Sequence, residues 1–210
     1  MILIFLGKPG SGKGTQANLV SKKIKIPVIS MGEILRNIEK QKTLLARIVR
    51  QRIDKGDLIP DKLAQIILRK RLQKKDCRQG YILDGFPRTL KQARGFKEKI
   101  DKVVYVDVSD KTIIKRLSSR LECSCGMVYN LVTNPPRKKG ICDRCGKNLR
   151  RRKDDEPKTI KKRLQIYKKQ TRPLIRFYSQ KGILVKVDGE KGIKEIFGNI
   201  IGILKGLNNK

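Results

Sequence analysis

Short apolar runs alternate with longer segments of helical periodicity along this chain. The apolar runs predict four strands, at 2–6, 81–83, 102–106 and 183–187. Apolar residues at helical spacing predict helices at 15–24, 33–39, 43–54, 62–74, 90–97, 111–121, 158–169, 173–180 and 193–204. The last helix has a continuous apolar stripe, formed by Ile193, Ile196, Phe197, Ile200, Ile201 and Leu204, which indicates a face packed on the core. Alternating strands and helices favour an α/β fold with a central parallel sheet between two helical layers.

Two segments interrupt this alternation. Residues 30–59 have no strand signal and predict a small helical insertion. Residues 119–156 contain paired cysteines, two adjacent prolines and a basic run, and they predict an insertion held by cross-links rather than by an apolar core. Residues 1–29, 60–118 and 157–210 then form the core domain.

The charge balance is strongly basic. The 210 residues include 52 Lys and Arg against 19 Asp and Glu, a formal net charge of +33. These charges are spread along the chain, and aromatic residues, the platforms on which single-stranded nucleic acid stacks, make up 5%. We therefore favour a solvated basic surface, with non-specific binding to polyanions at low salt. The absence of histidine excludes His-based acid–base catalysis, Ser-His or Cys-His nucleophiles and mixed Cys/His zinc sites.

No apolar run is long enough to span a membrane, for which about 18 residues are needed. The N-terminal apolar run lacks a preceding basic segment and leads directly into a glycine-rich turn, so it predicts a strand rather than an export signal. We expect a cytoplasmic protein without a membrane partner.

The glycine-rich turn at 7–15 follows the first predicted strand and precedes the first predicted helix. Strand, glycine turn and helix start are the parts of a phosphate-binding loop, whose backbone N–H groups surround an anion. Lys13 is placed to contact the β- and γ-phosphates of a nucleoside triphosphate. Gly14 stands where such loops usually have Ser or Thr, and Thr15 supplies the hydroxyl one position later.

A second signal is the segment 81–88, in which an apolar strand ends at Asp84 and Arg88 follows. A carboxylate at the carboxyl edge of a parallel sheet can hold Mg²⁺ directly or through water beside the phosphate loop. The guanidinium of Arg88 can reach phosphate oxygens.

Five motifs occur in order along the chain: G-K-P-G-S-G-K-G-T at 7–15, S-M-G-E-I-L-R at 30–36, G-D-L-I-P-D at 56–61, D-G-F-P-R-T-L-K-Q at 84–92 and R-R-K-D-D at 151–155. Over essentially its full length the chain resembles the adenylate kinases of the long-lid form. The resemblance implies a P-loop fold in which residues 30–59 are a helical monophosphate-binding insertion and residues 119–156 are a lid. It also implies the substrates ATP, AMP and ADP, Mg²⁺ bound with ATP, and a monomer.

The resemblance also implies residue roles. For the ATP phosphates and the transferred group these residues are Gly10, Ser11, Gly12, Lys13, Gly14, Thr15 and Arg120, and near the ATP base they are Arg116, which lies against the adenine, Val128, Tyr129 and Lys191. For AMP they are Met31, Arg36, Asp57, Leu58, Ile59, Gly85, Phe86, Pro87, Arg88, Gln92, Arg152 and Arg163. The expected catalytic groups are Lys13, Asp84, Arg88, Arg120, Arg152 and Arg163. Transfer between two phosphates needs alignment and positive charge and no general base, which agrees with a chain without histidine.

Cysteines 123, 125, 142 and 145 form a third signal. The second pair is a typical zinc knuckle, whereas the first pair is one residue shorter than the usual C-x2-C. The interpretations left open are a structural zinc site like those in the lids of this family, buried thiols without metal, and a disulfide. The fifth cysteine, Cys77, is interpreted as a packing residue.

Two residues give conflicting indications of which nucleoside monophosphate the protein prefers. Met31 stands where adenylate kinases usually have Thr, near the base of the monophosphate, whereas Gln92 is retained and its amide can pair with adenine. We favour AMP, with a UMP/CMP kinase as the alternative in the same class. The alternative from another class is a basic nucleic-acid-binding protein built on a P-loop and a zinc ribbon.

Overall fold

The computed structural model describes residues 1–208. Its strands are β1 (Ile2–Gly7), β2 (Val28–Ser30), β3 (Tyr81–Asp84), β4 (Lys102–Asp107), β5 (Arg120–Glu122), β6 (Val128–Asn130) and β7 (Leu184–Asp188). Five of them form a parallel sheet in the order β2-β3-β1-β4-β7. The predicted α/β fold with a central parallel sheet is confirmed.

The helices are α1 (Lys13–Ile24), α2 (Met31–Glu39), α3 (Leu44–Asp54), α4 (Asp61–Leu72), α5 (Leu90–Gly95), α6 (Asp110–Ser118), α7 (Pro157–Ile166), α8 (Pro173–Gln180) and α9 (Ile193–Asn208). Short 3-10 turns lie at Lys75–Cys77 and Lys153–Asp155, and a π-helical turn, Tyr167–Thr171, joins α7 to α8.

The predicted and observed elements differ in several places. The sequence interpretation missed β2, β5 and β6, whose three residues each are too few for a periodic signal. The helix predicted at 90–97 ends at Gly95. The helix predicted at 111–121 ends at Ser118, and its last residues belong to β5. The helix predicted at 158–169 leaves α-helical geometry at Tyr167, where the π turn begins.

Two apolar clusters cover the two faces of the sheet. Successive side chains of a strand point to opposite faces, so Ile4 and Leu6 pack in one cluster and Leu3 and Phe5 in the other. The apolar stripe of α9 packs in the second cluster, with Ile196, Ile200 and Leu204 buried, as the periodicity predicts.

The segment 119–156 has its own small sheet. Strands β5 and β6 pair antiparallel, with Leu121 opposite Tyr129. Its buried core consists of Cys123, Tyr129 and Cys142. Among residues 1–208, no helix has the length and apolar character needed to cross a membrane.

Candidate active site

The phosphate loop joins β1 to α1 at the carboxyl edge of the sheet. Gly10 and Gly12 have φ of 80° and 88°, in the left-handed region that disfavours side chains. A Cβ atom at Gly14 would lie 3.1 Å from Oδ2 of Asp84. The glycine that replaces the usual Ser or Thr therefore leaves room for this carboxylate beside the loop.

Lys13 lies deep beside the loop, at the start of α1. Burial lowers its pKa to about 8; Asp84 opposes this shift, and the nearby Arg88 adds to it. Lys8, also in the loop, faces away from this position, because its Nζ pairs with Asp110 at 2.7 Å and donates to the Val108 carbonyl at 2.7 Å. Lys13 is therefore the loop lysine available to a phosphate.

Asp84 ends β3, directly beside the loop. Its Oδ2 accepts a hydrogen bond from the hydroxyl of Ser30 at 3.3 Å. Its Oδ1 is buried and has no hydrogen-bond partner within residues 1–208. A buried carboxylate oxygen with free acceptor capacity is suited to a Mg²⁺ ion or to water bound to that ion. Thr15, the other candidate, is exposed at the first turn of α1.

Arg88 is held by contacts from three directions. Its Nε donates to the Gly85 carbonyl at 3.0 Å, and its backbone N–H donates to Oε1 of Gln92 at 2.7 Å. Its carbonyl accepts from the hydroxyl of Thr171, in the π turn, at 2.9 Å. The amide nitrogen of Gln92 donates to Asp61 at 2.8 Å. Gln92 is buried, so it fixes the Arg88 loop and keeps one amide hydrogen and one lone pair for another partner.

Two of the predicted arginines, Arg120 and Arg163, form ion pairs with the adjacent aspartates Asp154 and Asp155. Arg120 binds Asp155 through both Nε and Nη2, at 2.7 and 2.5 Å. Arg163 lies 3.0 Å from Asp154 and from Asp155. Such charge-assisted contacts fix the direction of a guanidinium. These two aspartates belong to the R-R-K-D-D motif, but the sequence interpretation gave them no role.

Two further predicted arginines, Arg36 and Arg152, share one carboxylate. Nε of Arg152 lies 2.5 Å from Oε2 of Glu122, and Nε of Arg36 lies 3.9 Å from the same oxygen. Glu122 was missed because nothing in the local sequence marks it as part of a site.

The electrostatics show that these cations converge. Burial lowers the pKa of Arg88, and the charge of Arg163 lowers it further. Burial also lowers the pKa of Arg152, to about 10, with Arg120 and Arg36 adding to the shift. Guanidiniums that lower one another's pKa in this way favour a nearby anion, since a polyphosphate would relieve their repulsion.

The segment 56–59 lies against α7. Asp57 pairs with Lys162 at 2.6 Å, and a Cβ atom at Gly56 would lie 2.9 Å from Cγ2 of Thr159. Met31 and Ile59 are buried in the apolar cluster on the same side of the sheet, whereas Leu58 is half-buried. The contact with α7 brings this segment close to Arg163.

The residues expected near the ATP base lie in two places. Arg116 donates to the Gly189 carbonyl at 2.9 Å and to the Ser11 carbonyl at 3.4 Å, so it lies behind the phosphate loop. Val128 is exposed, as is Lys191, which pairs with Glu195. The ring of Tyr129 is buried in the core of segment 119–156, which leaves its backbone for contact with a nucleotide.

The four cysteines of segment 119–156 converge on one point. The Sγ atoms of Cys123, Cys125, Cys142 and Cys145 all lie within 4.8 Å of one another. The hydroxyl of Tyr129 lies 3.6 Å from Sγ of Cys142. Four thiolates at this spacing suit tetrahedral Zn²⁺. Cys77 lies apart, buried near Arg71, in agreement with a packing role.

The parallel sheet, the glycine loop at its carboxyl edge and the converging cations define an α/β phosphotransferase of the P-loop class. The comparisons with known proteins give the family. The family model described as adenylate kinase matches residues 5–183. The adenylate kinase of Archaeoglobus fulgidus is 45% identical over the whole of both chains.

Two further relatives show the same similarity. The adenylate kinase of Caldicellulosiruptor saccharolyticus is 44% identical, over 97% of this chain and 99% of its own. That of Methanocella arvoryzae is 42% identical, over 99% of this chain and all of its own. The chain belongs to the adenylate kinase family, as its motifs predict.

Proposed function

We propose that this protein transfers the γ-phosphoryl group of Mg-ATP to AMP and forms two molecules of ADP. The observation that carries the proposal is the convergence of Lys13 with arginines from the core, the lid and the monophosphate insertion. Phosphoryl transfer spreads charge over several oxygens, so a ring of fixed cations stabilises the transition state more than the separate substrates.

The phosphate loop is the proposed ATP site. Backbone N–H groups of residues 10–15 surround the phosphates, and Lys13 contacts the group that is transferred. Arg116 supports the loop from behind, while Lys191 and the backbone of Val128 and Tyr129 border the base. Arg120, whose charge acts on Lys13, neutralises the charge of the transferred group.

The proposed monophosphate site is formed by arginines from the insertion, the core and the lid. Arg36, Arg88 and Arg152 hold the phosphate of AMP, and Arg163 faces the group in transfer. Residues 57–59 and 85–87, with Met31 and Gln92, border the nucleoside. The acceptor is an ionised phosphate oxygen, so no side chain needs to remove a proton.

Asp84 and Thr15 are the residues that would hold Mg²⁺ with ATP. When bound, the ion would supply positive charge to the phosphates of ATP. Asp84 contributes the unpaired buried oxygen and Ser30 orients its other oxygen. The lysine and arginines align the two nucleotides independently of this contact.

Segments 30–59 and 119–156 are the proposed moving parts, and residues 1–29, 60–118 and 157–210 are the proposed core. Closure of both insertions excludes water, which would otherwise accept the phosphoryl group. The four cysteines are proposed to bind Zn²⁺, whose role is structural because four protein ligands leave no open position. We also propose a monomer, which light scattering would test.

The deciding experiment measures ADP formation from Mg-ATP with AMP, UMP, CMP and GMP supplied separately at about 0.15 M salt, near physiological ionic strength. Rapid turnover with AMP alone supports the proposal. Preference for UMP or CMP would assign the chain to the sister kinases and give Met31 a role in base choice. Absence of turnover with every monophosphate would refute the proposal.

The basic surface supports a second, weaker property, which is non-specific binding of polyanions. Counterion release makes such binding steeply dependent on salt, so we expect it to disappear by about 0.2 M salt. Binding to DNA or RNA that persists above this concentration would instead favour the nucleic-acid-binding alternative.

A further inference from the structure

Glu122 links two parts of the site that are far apart in sequence. It ends β5 in the segment 119–156, next to Cys123. Its carboxylate contacts Arg152 of the same segment and Arg36 of α2. Among the ion pairs within residues 1–208, the Glu122–Arg36 contact is the one that joins the lid to the monophosphate insertion.

The direction of Glu122 is set by the backbone. Its N–H donates to the Arg150 carbonyl at 2.8 Å, and the N–H of Arg150 donates back at 2.9 Å. On its other edge Glu122 lies opposite Val128 in the β5–β6 pair. A residue paired on both edges has a fixed pleat, so its side chain projects to one side of the lid. Arg152 lies on the side of the lid to which the Glu122 side chain projects.

The chemistry of the contact resembles that of a bound phosphate. A carboxylate and a phosphate present similar acceptor oxygens to the fork of a guanidinium. The side chains of Arg36 and Arg152 are 27% and 11% exposed, so unpaired guanidiniums here would be costly. Arg120 and Arg163 have Asp154 and Asp155 as partners, but Arg36 and Arg152 share Glu122.

We propose that Glu122 is a positioning residue whose carboxylate takes the place of the monophosphate's phosphate group between Arg36 and Arg152. It holds the two guanidiniums at the spacing that a phosphate requires, and it yields them when the phosphate enters. The proposal rests on the proposed function, which assigns both arginines to the monophosphate. One consequence is that Glu122 weakens binding of AMP, because its carboxylate must be displaced and repels the incoming anion.

The test is Glu122→Gln, which keeps the shape and hydrogen-bonding ability of the side chain and removes its charge. We expect the KM for AMP to fall about three- to tenfold, where tenfold corresponds to about 1.4 kcal/mol. The KM for ATP and the kcat should stay within about twofold of wild type, because the displaced contact precedes phosphoryl transfer. A purely structural role of Glu122 would change kcat and both KM values together.

Glu33→Gln is the matched control. Its carboxylate lies at the same boundary, 3.7 Å from a Cβ atom built on Gly126 of the lid, but within residues 1–208 it forms no ion pair. We expect its KM for AMP to be unchanged. A KM for AMP that is unchanged or raised in Glu122→Gln would overturn the proposal, and so would an equal decrease in both variants.

Arg36→Ala and Arg152→Ala separate this proposal from the site assignment on which it rests. If neither substitution raises the KM for AMP, the assignment of the monophosphate site fails, whatever the glutamate variant shows. If both raise it and Glu122→Gln does not lower it, the assignment stands and the role of Glu122 is refuted. Calorimetric titration with AMP alone gives the same comparison without turnover.

Discussion

The cations of the active site are positioned by two regions that are built in different ways. Lys13, Asp84 and Arg88 follow strands β1 and β3, whose central residues are fully buried. Arg120 and Arg152 belong to a lid whose buried core is three residues, Cys123, Tyr129 and Cys142. Apolar burial fixes the first group, whereas the second depends on ion pairs and on the four thiols.

This contrast shows that a small insertion can fix the positions of its charged side chains without a large apolar core. A segment of this size buries too little apolar surface to offset its conformational entropy. Cross-linking through a metal removes much of that entropy without an apolar core. The lid therefore has a stability that we expect to be separable from that of the sheet.

The largest expected effect follows from removal of the Zn²⁺ that we propose is bound by the four cysteines of the lid. Structural zinc contributes roughly 10 kcal/mol to the folding of small zinc-dependent domains. We expect chelation, or Cys142→Ser, to lower the melting temperature clearly, while the initial rate at moderate temperature falls less. Differential scanning calorimetry and rate assays on the same sample measure both.

Cys77→Ser is the control for the loss of a thiol, since Cys77 lies outside the cluster. Its melting should remain sensitive to chelation. If elemental analysis finds no metal and chelation leaves the melting curve unchanged, the lid is held in another way and the comparison of the two regions fails.

The second largest expected effect concerns Arg88, which belongs to the region positioned by the central sheet. Arg88→Ala should lower kcat by about 10³-fold or more, the scale for an arginine that stabilises phosphoryl transfer. Circular dichroism should show an unchanged helix content. The exposed Arg94 on α5 provides the control, and Arg94→Ala should keep the wild-type rate. Loss of helicity in Arg88→Ala would contradict its catalytic assignment.

A third, smaller effect compares packing in the two regions. Leu83 is fully buried in β3, and Leu83→Ala should lower the free energy of unfolding by about 2–5 kcal/mol. Leu149 only borders the lid core, and we expect Leu149→Ala to cost about 1 kcal/mol or less. Urea denaturation of both variants measures the difference. Equal costs would show that the lid is packed as tightly as the sheet.

The smallest effect concerns pH. Burial lowers the pKa of Lys13 to about 8, so the free enzyme loses this positive charge above pH 8. ATP requires the charged form, so the KM for ATP should rise by up to about tenfold per pH unit above that value. Arg152, with a pKa of about 10, stays charged between pH 8 and 9. In Lys13→Arg the KM should be flat over this range, and a flat wild-type profile would contradict the assignment.

Much of the fold could be predicted from the sequence because its signals are local. The phosphate loop, Asp84 and Arg88 each lie within a few residues of a strand end, so the strand places them. Strand β2 has three residues, which cannot show a period, and its pairing with β3 depends on a distant part of the chain. The prediction failed where the structure is decided by tertiary pairing.

The unpredicted parts of the candidate site have the same cause. Glu122 approaches Arg36 only because the lid folds over α2, and Asp61 meets Gln92 only because α4 lies beside α5. No spacing in the sequence encodes either contact. The five motifs contain Arg36, Arg88 and Arg152, and they also contain Asp154 and Asp155 without indicating their role, whereas Glu122 lies in none of them.

The π turn at Tyr167–Thr171 lies between two helices that pack on opposite faces of the sheet. Before it, Ile160 and Leu164 of α7 pack in the cluster on one face of the sheet; after it, Leu174 and Tyr178 of α8 pack in the cluster on the other face. The extra residue of a π turn rotates the side chains that follow it about the helix axis. The side chains of α8 can therefore face the other apolar cluster. The nearly continuous helical segment formed by α7, the π turn and α8 thus passes from one face of the sheet to the other. Arg163 on α7 and Thr171 of the π turn, whose hydroxyl donates to the Arg88 carbonyl, thus belong to the same helical segment.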